Sequence, residues 1–190
     1  MKISDELKAA IKALPEKEKD KLLLRLIPKN NLLVHQLEYK LLENSETMIL
    51  RRVELKDTIT EKLSIYPEKF YSPGYLLMMM REISGMINLH VAITKDKLGE
   101  IGLNLYLLTE ILNKNKEVLD AANSYSKVTF DDYVVKRCLK LMKLVATIDE
   151  DYHIDFKDDF HWLGKLIGNQ HTTMKTAIYS GLDVNHLLKF

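Results

Sequence analysis

The sequence predicts an all-α protein of about seven helices, on three observations. Apolar residues recur at three- and four-residue spacing along most of the 190 residues, only 7 Gly and 4 Pro interrupt that pattern, and no alternating β-branched run between hairpin turns occurs. Short connections favour antiparallel helix pairs in an irregular helical bundle. A short HEAT-like α-solenoid is the alternative, although the sequence contains no repeat of fixed period.

The helices before residue 65 are predicted from their capping residues. Ser4 is placed to cap a short first helix, and Pro15 lies in the first turn of the second. A third helix follows, and Ser45 is placed to cap a long, charged fourth helix. Residues 65–73 contain two prolines and three aromatic residues, so they mark the clearest break in the chain. We expect one domain over residues 1–190, with a sub-boundary at this break.

The least polar stretch, residues 72–94, predicts the central helix of a core. It is long enough for a bilayer, but the insertion cost of Arg81 and Glu82, about 5 kcal/mol, exceeds the gain of about 2–4 kcal/mol from its Leu, Ile and Val residues. The pattern therefore favours a soluble helix with a narrow exposed strip. Ser72 is expected to cap this helix, and His90, on its apolar side, is expected to be a hydrogen-bonded core histidine.

The second half of the chain predicts three longer helices. The first covers residues 96–122, where Gly99 and Gly102 in the first turns would let a neighbouring backbone approach. Residues 124–128, SYSKV, are predicted to form a loop. Residues 181–190 are predicted to form a terminal turn and tail.

The other two of these helices follow that loop. One begins with Thr129 and Asp132 as a variant of the capping box. The other covers residues 155–180 and is expected to bend at Gly164 or Gly168. Each has one apolar face, which predicts that both pack against the earlier helices.

A basic stripe follows one face of the helix that begins near Thr129. Three lysines share that face with an arginine beside them, while the opposite face is apolar. Such a stripe is most simply a solvated helix face. As a binding surface it suits an acidic protein partner better than nucleic acid, because it lacks the length and the stacking aromatic rings that favour nucleic acid. Exposed aromatic residues are also favoured at interfaces. The predicted partner-binding residues are Phe70, Tyr71, Tyr75, Lys136, Arg137, Lys140 and Lys143.

A metal site is the alternative that the sequence leaves open. Residues 149–171 contain three histidines and six acids, which are the ligand types of zinc, iron and manganese. As a metal-dependent hydrolase, the chain would use His153, Asp158 and His161 together with ligands from another helix. However, Asp158 and His161 share a helix face with Lys165, and that face is predicted to be the solvent side.

Composition and charge limit the classes of function and partner that we expect for this chain. The 28 basic and 27 acidic side chains nearly cancel to +1, so no global field steers the chain toward nucleic acid or acidic membranes. Cys138 is the single cysteine, its apolar helix face predicts an inert core thiol, and the N-terminus has no apolar run of the signal-peptide type. We expect a cytoplasmic, non-enzymatic helical protein–protein interaction module without a cofactor, and without membrane or nucleic-acid association. A homo-oligomer is left open.

Two segments carry a resemblance. LPEKEKDKLLLRLIPKNNLLVHQLEYKLLE near the N-terminus, and FYSPGYLLMMMREISGMINLHVAITKDKLGE after it, are similar to small, uncharacterised all-helical proteins of Bacteroidota. The resemblance covers most of the chain. It implies an all-helical fold and brings no active-site motif.

Overall fold

A computed structural model describes residues 3–64 and 72–190, which form eleven α-helices and no strand. The helices are α1 (Asp5–Ala13), α2 (Glu16–Leu26), α3 (Asn31–Leu42), α4 (Ser45–Ser64), α5 (Pro73–Thr94), α6 (Lys97–Lys114), α7 (Lys116–Ala121), α8 (Ser124–Val145), α9 (Lys157–Asn169), α10 (His171–Tyr179) and α11 (Val184–Lys189). Short 3₁₀ helices cover Ile27–Lys29 and Glu150–Phe156. The all-α class is confirmed, whereas the expected count of about seven helices is wrong.

The helices pack as a bundle around a shared apolar core. Its centre is formed by α5, α6, α8 and α9, with fully buried side chains such as Ile87, Leu105 and Phe160. The second half of α4 adds Ile59 and Leu63 to the same core. The helices α10 and α11 pack against α8 and α9, so the C-terminal half of the chain is stabilised by burial of its apolar faces.

Two of the four predicted helix starts in the first half are confirmed. The hydroxyls of Ser4 and Ser72 each accept a hydrogen bond, at 3.3 Å, from the backbone N–H three residues later. Pro15 stands one residue before α2 rather than in its first turn. The cap of α4 is Asn44 rather than Ser45, because its side-chain oxygen accepts from the Thr47 N–H at 3.1 Å. The predicted sub-boundary lies mostly outside the described residues, which resume at residue 72.

The predicted helix over residues 96–122 is interrupted. At Asn115 the backbone leaves the helical region, with φ −109° and ψ 21°, and a new helix starts at Lys116. The Asn115 side-chain amide donates to the carbonyl of Ile111 at 2.9 Å, a local bond that competes with helix continuation. No glycine or proline stands at this position, so the apolar periodicity alone predicted a continuous helix.

The predicted loop SYSKV is helical. Asn123 caps α8, since its side-chain oxygen accepts from the Ser126 N–H at 2.8 Å, and the expected capping box at Thr129 and Asp132 is wrong. Lys127 is buried in the first turns and donates to the carbonyl of Leu119 at 2.8 Å. The Asn123 cap and the Lys127 hydrogen bond to α7 therefore place the start of this helix at Asn123 rather than at Thr129.

The predicted helix over residues 155–180 breaks at Gln170 and not at Gly164 or Gly168. Gln170 has an extended backbone, is buried, and donates from its side chain to Asp120 at 2.8 Å. That contact with the end of α7 holds the chain in its turn between α9 and α10. A tertiary hydrogen bond, rather than a flexible glycine, ends this helix.

The predicted tail is helical, because Val184–Lys189 form α11 after a turn. Leu182, Val184 and Leu187 are buried against the core, and α11 lies across α9. A Cβ atom at Gly164 would lie 3.0 Å from the nearest carbon of Leu188. Gly164 thus permits the close approach of α11, which explains why a glycine that does not bend the helix occupies this position.

The apolar helix α5 is a central element of the core. By length and composition alone it is the one helix of the described ranges that could cross a bilayer, and a buried core helix passes the same test. Half of its most apolar window is buried by neighbouring helices. His90 is buried and its Nε2 lies 3.2 Å from the Asp96 carboxylate, which confirms the expected hydrogen-bonded core histidine.

Asp96 is the centre of a buried ion cluster that joins α4, α5 and α6. Its carboxylate receives two hydrogen bonds from the Arg52 guanidinium, one contact from His90, and the backbone N–H of Gly99 at 2.9 Å. Asp96 therefore caps α6 and pairs with α4 at once. Burial alone would raise the pKa of Asp96, but the hydrogen bonds from His90 and Arg52 outweigh it and hold that pKa well below its ordinary value.

Cys138 lies fully buried on α8, as its apolar face predicted. Burial raises the pKa of its thiol to about 12, so the reactive thiolate is scarce in the folded protein. We expect a disulfide-exchange reagent such as DTNB to leave Cys138 unmodified under native, mildly alkaline conditions and to label it rapidly in denaturant. Rapid stoichiometric labelling of the folded protein would contradict this burial.

Candidate functional site

Two helical stripes face each other across a groove between α5 and α8. Each stripe follows the spacing of three, four and seven residues that places side chains on one helix face. The groove has a volume of about 400 Å³. It is lined by Arg81, Ser84, Gly85 and Asn88 from α5 and by Tyr133, Lys136, Arg137 and Lys140 from α8.

Tyr133 organises the centre of this groove. Its hydroxyl donates to the buried hydroxyl of Ser84 at 2.9 Å, which ties α8 to α5. The guanidinium carbons of Arg81 and Arg137 lie 5.9 and 5.5 Å from the centre of its ring. Both arginines are therefore held beside the same aromatic ring by cation–π attraction.

The four cations of the groove are not equally available. Lys136 pairs with Asp132 at 2.8 Å, and Lys140 pairs with the buried Glu100 at 2.7 Å. Within the described residues Arg81 and Arg137 have no carboxylate partner, and the Nε of Arg137 is buried without a hydrogen-bond partner. Two guanidinium groups thus remain with unmet capacity for an anion, and among residues 3–64 and 72–190 no acidic residue lines the groove.

The predicted partner-binding residues are divided by the structure. Lys136, Arg137 and Lys140 line the groove, whereas Lys143 is exposed one turn beyond it. Tyr75 lines a separate, smaller pocket at the start of α5. The other two, Phe70 and Tyr71, lie outside the described residues.

The three predicted metal ligands lie in different surroundings. His153 donates from Nε2 to the carbonyl of Val145 at 3.2 Å, and His161 donates from Nδ1 to the carbonyl of Leu188 at 2.8 Å. Asp158 is exposed. His161 is half-buried rather than on the solvent side, because α11 covers that part of α9. Over residues 3–64 and 72–190 no three His, Cys, Asp or Glu side chains are placed to share a metal ion.

A second cleft, of about 330 Å³, lies between α4, α6 and the start of α9. It has Arg52 and Lys56 on one side and Asp155 and Asp159 on the other. Burial raises the pKa of Asp159, although the nearby Lys56 opposes that shift. Arg52 is already paired with Asp96, and this cleft has opposite charges on its own walls. It therefore offers less unmatched charge than the groove between α5 and α8.

The cations of one wall of the groove were predicted, but the expectation that no aromatic ring lies among them is wrong, because Tyr133 shares their helix face. The other wall was not predicted as part of a groove. Arg81, Ser84, Gly85 and Asn88 belong to the narrow strip of α5 that was expected to be exposed, and all of them except Ser84 are exposed. Nothing in the sequence indicates that this strip faces the basic stripe of α8, since Ser84 and Tyr133 are 49 residues apart. The one indication in the sequence was Arg81 itself, a charged residue within an otherwise apolar helix.

No family model, curated protein or solved structure matches this chain. The geometry and charge of the groove are therefore the observations that bear on function.

Proposed function

We propose that this chain is a non-enzymatic protein-interaction module that holds an acidic segment of a partner protein in the groove between α5 and α8. One observation carries the proposal: Arg81 and Arg137 are fixed beside Tyr133 with no carboxylate partner among the described residues. Guanidinium groups bind carboxylates through two parallel hydrogen bonds. The described lining of the groove contains no His, Cys, Asp or Glu, which favours binding over acid–base or nucleophilic catalysis.

The length of the groove suits a short peptide segment. From Arg81 to Asn88 the α5 wall rises by roughly 10 Å, which matches two turns of a bound helix or about three extended residues. Asn88 can accept or donate hydrogen bonds at one end. A segment with two neighbouring Asp or Glu side chains would place one carboxylate near each guanidinium.

An acidic peptide fits the groove better than a nucleic acid does. Tight binding to duplex nucleic acid takes on the order of six to ten phosphate contacts, and this groove offers two unpaired cations. Single strands are held by stacking of bases on exposed aromatic rings. The Tyr133 ring already has two guanidinium groups beside it, so it is a poor stacking platform.

Binding of a fluorescein-labelled, Glu-rich peptide, followed by fluorescence anisotropy, tests the proposal. We expect saturable binding that weakens with added salt, and the double variant Arg81→Glu with Arg137→Glu should weaken it at least about tenfold. The substitution Gly85→Leu fills the groove without removing charge, since a Cβ at Gly85 meets no atom within 4 Å. It should weaken binding as well.

The control variant is Lys143→Glu, which reverses an equally basic position outside the groove. It should bind the peptide nearly as the parent chain does, apart from a modest change in salt dependence. Equal affinities for the parent, the double variant and Gly85→Leu would overturn the proposal. A single-stranded oligonucleotide that binds more tightly than the peptide, and loses affinity in the double variant, would overturn it in favour of nucleic acid.

A further inference from the structure

The N-terminal helices carry most of the exposed apolar surface of the described chain. No residue of α1, α2 or α3 is buried, although each helix has several large apolar side chains. Thirteen of the twenty-three large apolar side chains that are exposed in the described residues lie between residues 3 and 53. They are Ile3, Leu7, Ile11, Leu23, Leu24, Leu26, Leu32, Leu33, Leu41, Leu42, Ile49, Leu50 and Val53, and we call this set the N-terminal apolar surface.

Short helices such as α1 and α2 are stabilised when their apolar faces are covered by other parts of a protein. The helices α1 and α2 have 9 and 11 residues, and isolated helices of that length are marginal in water. Packing of an apolar face is what normally stabilises them, yet no residue of either helix is buried in the described part of the chain. The side chains of the N-terminal apolar surface are 37–82% exposed and present on the order of 1,000 Å².

The charges around this surface favour a second copy of the same chain as its cover. In α2 the acidic Glu16, Glu18 and Asp20 alternate with Lys17, Lys19 and Lys21, so its first half has no net charge. The charges of α1 are segregated, with Asp5 and Glu6 in its first turn and Lys12 in its last. When α1 meets its own copy antiparallel across a two-fold axis, the acidic end of each lies beside the basic end of the other, and the helix dipoles are also antiparallel.

The other kinds of cover fit less well. Between residues 3 and 53 there are ten basic and eight acidic side chains, so the surface has little net charge to attract an acidic membrane or a nucleic acid. A stable homodimer needs about 800 Å² from each partner, which the N-terminal apolar surface can supply.

We infer that this chain forms a symmetric homodimer through the N-terminal apolar surface. The groove between α5 and α8 takes no part in that interface, since none of its lining residues belongs to α1, α2, α3 or α4. The two are joined through α3, where the Gln36 side chain donates to the carbonyl of Ala92 at 2.7 Å near the end of α5. The dimer would therefore carry two grooves.

Sedimentation equilibrium from micromolar to submillimolar concentration tests the dimer. We expect a mass of twice the 22.1 kDa of one chain, and we expect the double variant Leu24→Glu with Leu41→Glu to raise the dissociation constant at least about tenfold. Both side chains are more than 70% exposed in the single chain, so the variant should keep its core and its thermal transition. The control is Leu89→Glu, a half-exposed leucine of α5, which should leave the mass unchanged.

Amide hydrogen exchange gives an independent measurement. Protection of α1 and α2 should rise with protein concentration in the parent chain and stay low in the double variant, because these helices gain their packing in the dimer. A chain that stays monomeric over the whole range would overturn the inference. A dimer of unchanged strength in the double variant would overturn it as well, and so would a monomer that binds lipid vesicles through the same leucines. The peptide-binding test uses other residues, so either proposal can fail alone.

Discussion

Replacing Asp96 with alanine should lower the free energy of unfolding by about 3 kcal/mol, the largest effect that we expect from one substitution of a polar residue. The change leaves the guanidinium of Arg52 and the ring of His90 without their partner, and it removes the cap of α6. We take the low end of the range for broken buried pairs because the Arg52 side chain is 30% exposed. Urea unfolding followed by circular dichroism measures it.

The control for this substitution is Asp57→Ala, which removes an exposed aspartate from the middle of α4. It should change the free energy of unfolding by no more than about 0.5 kcal/mol. An equally small loss for Asp96→Ala would show that the ion cluster contributes little, and would contradict our account of how α4 is attached to α6.

The same cluster should make the fold sensitive to acid. The pKa of Asp96 is lowered in the folded chain, so its contribution is fully present above the ordinary value of 3.8 and is lost as the pH falls from there toward the folded pKa. In Asp96→Asn the stability should decline less steeply over that acid range. Some decline of the free energy of unfolding with falling pH should remain in the variant. Arg51 lowers the pKa of Glu43, and Lys116 and Gln170 lower that of Asp120. Identical slopes for parent and variant would contradict the assignment.

Two glycine-to-alanine substitutions should have opposite signs. In Gly99→Ala the new methyl would overlap the Asp96 carboxylate and lie 2.8 Å from Nε of Arg52, so we expect a loss of about 1–3 kcal/mol. In Gly85→Ala the methyl meets no atom within 4 Å, so the better helix propensity of alanine should add about 0.5–1 kcal/mol. Thermal or urea unfolding of both variants measures the difference.

Each variant serves as the other's matched control, since both place the same methyl group on a helix. A gain in stability for Gly99→Ala would show that Asp96 and Arg52 do not require this glycine. The sequence predicted that Gly99 admits a neighbouring backbone, and this is wrong: side chains, the carboxylate of Asp96 and the guanidinium of Arg52, occupy the space.

These positions show what periodicity can and cannot predict. The cap, length and buried side of α5 were predicted because an apolar stripe and Ser72 are local signals. The breaks at Asn115 and Gln170 were missed because hydrogen bonds of polar side chains, and not glycine or proline, create them. Residues 181–190 were wrongly predicted to be a tail. They contain few apolar side chains, and these stabilise a helix only because they pack against α9, which local sequence does not indicate.

In the candidate site, too, features set by local sequence could be predicted and features set by tertiary contacts could not. The basic stripe of Lys136, Arg137 and Lys140 could be predicted because its members share one helix. Its partner Arg81 could not, since helical periodicity says which residues share a face and not which face lies opposite. The ion pair of Arg52 and Asp96, 44 residues apart, was missed for the same reason.

The contact of two guanidinium groups with the Tyr133 ring has a consequence for ligand affinity. These side chains are preorganised, so much of the rotational entropy that flexible cations lose on binding is lost during folding instead. Exchange of both arginines for lysine would keep the formal charge while removing the planar forks, and affinity would fall through faster dissociation more than slower encounter.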